Sequence, residues 1–259
     1  MRVVRVIDGE LADCSGAPPA PQWALWQSEG MARLLTSAPY AGGIPTDRLV
    51  SFSSLQVPVT PTKIVCVGRN YAAHAKELGN DVPTEPLLFL KPPSALLDPG
   101  AAIVLPAASQ RVEHEGELGI VIGARLKDAS EAECRAGIFG ITAGNDVTAR
   151  DLQKKDVQFT RGKGFDTFCP VGPWIETECA DLSSIIVETR VDGVVRQHGS
   201  TSNMIFAVPY LLSYISRIMT LEPGDLILTG TPEGVGPIVS GNVVEVSISG
   251  VGTLSNTVR

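Results

Sequence analysis

Val112-Glu113-His114-Glu115-Gly116-Glu117-Leu118-Gly119-Ile120-Val121-Ile122-Gly123 begins a strand with acidic residues and continues it with aliphatic ones. Successive side chains of a strand alternate faces, so Glu115 and Glu117 project to one side, with Glu113 in line if the strand extends that far. Carboxylates gathered at one point repel each other and are costly to desolvate unless a cation compensates them or some take up protons. Hard oxygen donors of this kind suit Mg2+, Mn2+ or Ca2+. A third carboxylate stands in Gly144-Asn145-Asp146-Val147-Thr148-Ala149-Arg150-Asp151, where Asp146 falls at a strand-to-helix junction. A solvated acidic strand edge has the same spacing as a pair of metal ligands, so the pattern alone leaves both open.

Outward from this segment, short β-rich runs recur between turn signals: Ile64 to Val67, Leu87 to Leu90, Leu118 to Ile122, Ile138 to Ile141, Ser184 to Val191, Leu226 to Thr229 and Val243 to Ile248. Asp192-Gly193 marks a hairpin, and Pro223-Gly224-Asp225 a turn feeding an apolar strand. Ile205, Val208, Leu212, Ile215 and Met219 recur at helical spacing and predict one helix from about 202 to 219, with Pro209 bending or delaying its start. The fold class expected is mixed α/β and strand-dominated. Residues 1–57 read as a small N-terminal accessory domain: a first strand turning at Asp8-Gly9, a Pro-rich loop at Pro18-Pro19-Ala20-Pro21, a short helix and another loop. The Pro-rich stretch Val57-Pro58-Val59-Thr60-Pro61-Thr62 marks the linker, and residues 58–259 form the main domain.

The net charge of −7 lacks the broad positive field that nucleic acid would need, although a few cations can still make a pocket locally positive. No apolar run is long enough to span a bilayer, and the N-terminus has no apolar core of a secretory signal, so a cytoplasmic location is expected. Five scattered cysteines without CxxC spacing predict reduced thiols and no disulfides. Neither a Cys–His spacing nor a GxSxG elbow points to a covalent nucleophile.

Four blocks follow one another: Val67-Gly68-Arg69-Asn70-Tyr71-Ala72-Ala73-His74, Glu115-Gly116-Glu117-Leu118, Asn145-Asp146-Val147-Thr148-Ala149-Arg150-Asp151, and Gly230-Thr231-Pro232-Glu233-Gly234-Val235-Gly236. Together they resemble the fumarylacetoacetate hydrolase family over Lys63 to about Gly250. That resemblance implies a β-roll catalytic domain, often homodimeric, with Mg2+ or Mn2+ held at Glu115, Glu117 and Asp146, the residues that strand spacing also selects.

His74 and Glu77, three residues apart, would share one helical face. Without the resemblance a surface histidine would be the plainer reading; with it, the two form an acid–base dyad, on a segment that in the family can be a mobile lid. Lys163, flanked by Gly162 and Gly164, is either a solvent-facing loop lysine or, as the family implies, a cation that contacts the substrate or its oxyanion. Arg150 and Gln153 share a helical face and could hold a distal carboxylate or carbonyl; an ion pair of Arg150 with a neighbouring acid competes with that role. Thr231 sits on a Gly-rich turn able to bind a carboxylate, or merely to turn the chain. His114 points away from Glu115 and Glu117 as a packed or hydrogen-bonded histidine, and His198 reads as surface.

The function expected is that of a metal-dependent enzyme on a small 2-oxo acid, acting through an enolate stabilised by the cation and most readily hydrolysing a C–C bond of an acylpyruvate. An isomerase or decarboxylase of hydroxy-diene dicarboxylates, or an oxaloacetate decarboxylase, would use the same residues. A non-catalytic metal-binding module is the reading from another class.

Overall fold

The strand read from 118 to 122 runs from Gly116 to Ile122, and every residue in it is buried. Burial on both faces marks a central strand covered from two sides. It pairs antiparallel with Ile138–Asn145 on one edge and with Leu226–Leu228 on the other. The computed structural model describes residues 1–7, 20–179 and 181–259.

These strands belong to a 12-stranded sheet. Leu226–Leu228 runs parallel to Ile64–Gly68, which pairs with Leu87–Lys91 at the sheet's end. In the other direction Ile138–Asn145 pairs with Cys169–Glu176, which pairs in turn with Arg2–Val6. Beyond Arg2–Val6 lie Gln22–Ser28, Met31–Leu35 and Pro45–Ser51, so the N-terminal strands extend the main sheet.

A second, five-stranded sheet is ordered Val194–Ser200, Ile186–Val191, Val243–Ile248, Gly252–Val258 and Ala102–Ile103. It packs on the first through one apolar cluster, in which Leu118, Ile120 and Ile122 meet Val187, Val246, Ile248 and Leu254. The approach is closest at Gly116, where a Cβ would lie 2.0 Å from Thr189 Oγ1 and 3.2 Å from Val246. Only glycine fits between the sheets there.

The helices are short: α1 Ala72–Glu77, α2 Glu131–Ala136, α3 Arg150–Asp156, α4 Thr160–Lys163 and α5 Val208–Ile218. α5 carries Leu212 and Ile215 into the inter-sheet cluster. It starts later than residue 202: Pro209 takes the first turn, where its missing N–H costs nothing, and Thr201–Asn203 forms a separate 3-10 turn. The short helix expected before residue 57 is replaced by hairpin strands, with one 3-10 turn at Pro39–Ala41. In Gln22–Ser28, Val-poor but aromatic-rich, Ala24 is buried between the less covered Trp23 and Leu25, which is strand alternation. The Asp8-Gly9 turn, Pro18, Pro19 and Cys14 lie outside the described residues.

Asp192 and Gly193 both adopt positive φ, 52° and 76°, as the tight turn between Ile186–Val191 and Val194–Ser200 requires. The buried Asp225 carboxylate accepts from the backbone N–H groups of Thr62, Lys63 and Glu222, from the Thr62 hydroxyl and from Lys63 Nζ. It thereby fastens the end of the Pro-rich stretch to the turn before Leu226–Leu228. Cys66, Cys134, Cys169 and Cys179 are free. Among the described residues no helix is long and apolar enough to cross a membrane.

Candidate active site

Glu115 occupies the break between two strands, Val112–His114 and Gly116–Ile122, which belong to different sheets. Asn145 Oδ1 accepts from the Glu115 backbone N–H (3.0 Å), and the Asp146 N–H donates to the Glu115 carbonyl (2.8 Å). These two bonds stitch both acidic segments together. Glu117 Oε2 accepts from the Gly230 N–H at 2.7 Å, bringing in the turn that carries Thr231. Carboxylate oxygens of Glu115, Glu117 and Asp146 thus lie within 4.8 Å of one another, all buried.

Glu113 does not join them. It pairs instead with Arg111 and with Arg150 Nε (2.7 Å), because the strand break at Glu115 interrupts the alternation that would have kept the three glutamates in line.

Lys163 is not a loop lysine in solvent: it ends α4, fully buried, with Nζ 2.8 Å from Glu115 Oε2, in contact with Asp146 Oδ2 and 4.9 Å from the Phe89 ring centre. Arg150 opens α3, where its Nη2 donates to Glu115 Oε1 and its Nη1 to Gln153 Oε1 at 2.6 Å. The competing ion-pair reading of Arg150 therefore describes its geometry, and Gln153 is its partner. Thr231 Oγ1 donates to the Gly116 carbonyl (2.8 Å) and accepts from Gln197 Nε2 (2.7 Å). His74 is buried, with Nδ1 3.2 Å from Glu77 Oε2, while Glu77 Oε1 accepts from the Gly234 N–H at 3.0 Å. His114 is packed and bonded through Nδ1 to Gln197 Oε1 (3.1 Å); His198 is exposed beside Glu188.

One cavity of about 270 Å³ is lined by eight of the nine residues named from the sequence, all but Glu77. Its volume lies near the lower end of small-molecule sites, which run to roughly 300–1,000 Å³, and so favours a small substrate.

Lys91 was missed by the sequence reasoning. Its Nζ donates to Asp146 Oδ1 (2.7 Å) and to the Val147 carbonyl (3.2 Å), and neither side chain of the pair is exposed. A lysine ending an apolar strand before Pro92-Pro93 looks like a solvent-facing edge residue. The only signal was an outlying charge on the strand expected at 87–90. Gln197, which positions Thr231, left no sequence mark either, and Asn145, which holds Glu115, stood in the sequence only as the first residue of its block.

The charges are nearly balanced. Glu113, Glu115, Glu117 and Asp146 face Arg111, Arg150, Lys163 and Lys91. Burial alone would push the Glu115 carboxyl up, but Lys163 and Arg150 outweigh it and hold the group well below the usual carboxylate range. Glu117 has no such partner: burial first, then Asp146 and Glu115, push its carboxyl well up. A group of hard, buried oxygen donors in which one acid still lacks a counter-charge fits a divalent cation. Burial pushes the Cys169 thiol up to about 12, which leaves no thiolate nucleophile at this position.

Residues 63–259 match the family described as fumarylacetoacetate (FAA) hydrolase C-terminal. The chain is 48% identical over 200 residues to the mitochondrial oxaloacetate decarboxylase of Dictyostelium discoideum, covering 75% of this chain and 92% of that protein. It is 49% identical over 195 residues to the mitochondrial oxaloacetate tautomerase of Arabidopsis thaliana, covering 73% and 87%. The crystal structure of 2-hydroxyhepta-2,4-diene-1,7-dioate isomerase from Mycobacterium marinum superposes with a TM-score of 0.87 and 43% identity, over 100% of this chain and 98% of that one.

Proposed function

The chain belongs to the fumarylacetoacetate hydrolase family, and from that premise we propose that it acts on a small 2-oxo acid by moving a proton at the carbon beside the 2-oxo carbonyl. The observation that carries this reading is the convergence of Glu115, Glu117 and Asp146 on one buried point, in the same cavity as Lys163 and His74. Mg2+ or Mn2+ held by those three carboxylates would supply an electron sink for the negative charge that develops on the substrate oxygens.

The chain's own residues account for the rest. Glu77 holds His74 Nδ1, which leaves Nε2 as the atom that takes or returns the proton. Buried Lys163 keeps a full positive charge, its ammonium stabilised by Asp146 and Glu115 against the cost of burial, and so favours an enolate over the neutral keto form. Arg150 is held in a fixed plane by Glu113, Glu115 and Gln153, so its guanidinium adds a preorganised positive edge to the cavity.

Tautomerisation or decarboxylation is the preferred net outcome, since relatives carry the names oxaloacetate tautomerase and oxaloacetate decarboxylase. C–C bond hydrolysis is the second reading, favoured by the His74–Glu77 pair, which is equally placed to activate a water. A turnover panel with oxaloacetate, acetylpyruvate, fumarylpyruvate and a hydroxy-diene dicarboxylate, with Mg2+ or Mn2+ and with EDTA, tests both. Metal-dependent loss of enol absorbance with no new product, or with release of CO2, supports the first reading, and the pair of carboxylic acids left by hydrolysis supports the second. No turnover with any of them under either metal overturns the reading as an enzyme of 2-oxo acids.

A further inference from the structure

The cations nearest the carboxylate cluster are matched by acids, but the cavity has two more. Arg69 and Lys154 both line it, and no hydrogen bond or ion pair holds either one among the described residues. Lys154 is exposed on α3. Arg69 is half-buried, and its backbone is unusual: φ is +57°, a left-handed conformation that a long unbranched side chain rarely adopts.

The neighbours enforce that conformation. Gly68 is the last paired residue of Ile64–Gly68, in register with Leu87. Asn70 is buried and tied through its side chain and its carbonyl: Nδ2 donates to the carbonyls of Phe206 (3.0 Å) and Thr229 (2.9 Å), while Oδ1 accepts from the Phe206 N–H and its own carbonyl accepts from the Ile205 N–H. With both flanks fixed, Arg69 is held in a strained turn at the cavity wall. Residues kept in sparsely populated conformations cluster at ligand clamps, where the surrounding structure over-determines them.

We propose that Arg69 binds a second carboxylate of the substrate, remote from the 2-oxo group, and makes the site selective for 2-oxo dicarboxylates over monocarboxylates. The proposal rests on the reading of the cavity as a 2-oxo acid site and names the chemistry at the substrate's far end. An unpaired guanidinium in a half-buried wall matches a carboxylate in geometry and in charge. The four cations nearest the cluster are already engaged by Glu113, Glu115 and Asp146, so Arg69 is the guanidinium left to meet a carboxylate at the substrate's far end.

The test is calorimetric binding of 2-oxoglutarate and 2-oxopentanoate, a dicarboxylate and a monocarboxylate of equal chain length, to the Mn2+-loaded protein and to R69G. Glycine accepts the positive φ, so the backbone survives the change. The wild type is expected to prefer the dicarboxylate by roughly 10- to 100-fold, the value of a charge-assisted hydrogen-bonded pair, and R69G by less than about twofold. R69Q, which keeps a polar side chain without the charge, gives the same ratio if glycine loosens the turn. Wild-type protein that binds neither acid overturns the 2-oxo acid reading itself. Equal binding of the two acids by the wild type, or a preference that survives in R69G and R69Q, overturns the role of Arg69 alone.

Discussion

Replacing Lys91 with methionine keeps the length and apolar volume of the side chain but removes the ammonium that Asp146 and the Val147 carbonyl share. Removing one partner of a buried ion pair costs about 3–5 kcal/mol, because the other charge stays buried without compensation. Asp146 retains Lys163, so the lower end applies, about 3 kcal/mol. Against a total stability of about 5–15 kcal/mol, that is a large fraction and easily measured. Urea unfolding of the metal-free protein, followed by circular dichroism, reads it directly. Saturating Mn2+ narrows the gap, since a bound cation offsets the charge left on Asp146. Combining Lys91→Met with Asp146→Asn recovers part of the loss by removing the stranded charge. A loss below about 1 kcal/mol for Lys91→Met, in the range of an exposed pair, would refute the view that this contact is a dry, obligatory ion pair.

Glu115→Gln removes one of three converging carboxylates and frees Lys163 and Arg150 from their shared acid; Mn2+ affinity, measured by calorimetry, is expected to fall at least about tenfold and turnover to vanish, and survival of both sinks the metal-centre reading. Asp225→Asn turns one oxygen into a donor facing Lys63 Nζ and the Glu222 N–H, and thermal and urea unfolding should show about 2–4 kcal/mol lost; an unchanged midpoint would mean that this fastening is dispensable. The folded pKa of Glu117 lies above its unfolded value, so the group favours the folded state below the unfolded pKa, and that contribution is lost as pH rises through the folded pKa. Metal-free protein should therefore lose stability from this group as pH rises above about 4.5, its ordinary value, and metal binding should release up to about one proton. Mn2+ titrations in two buffers of different ionisation heat measure that release, and identical apparent enthalpies would show that Glu117 is already ionised.

The alternation of Glu115 and Glu117 was legible because strand geometry is local: two side chains of the same parity share a face whatever the rest of the chain does. Asp146 and the strands around it were legible for the same reason, since short apolar runs between turn residues announce themselves. Lys91 was not, because only pairing across the sheet shows that the end of Leu87–Lys91 faces Asp146. Cys169–Glu176 escaped as a strand since Pro170, Gly172 and Pro173 break its propensity, and it is held in the middle of the large sheet by its neighbours on both sides. Residues 22–51 read poorly because short aromatic segments fit a helix or a strand until a partner strand decides. Glu113 failed for a third reason: alternation predicts a face only while one strand continues, and at Glu115 the chain passes from one sheet to another.

The two oxygens of Glu77 answer to different masters, His74 on its own helix and the Gly234 amide on a turn far away in sequence. The carboxylate is therefore a clasp as well as an orienting group. Displacement of α1 from that turn would break the bond to Gly234 and leave Glu77 on His74, because both ends of the His74 contact ride on the same helix. Docking of α1 against that turn is therefore the event that places against the cavity wall an imidazole whose tautomer is already set.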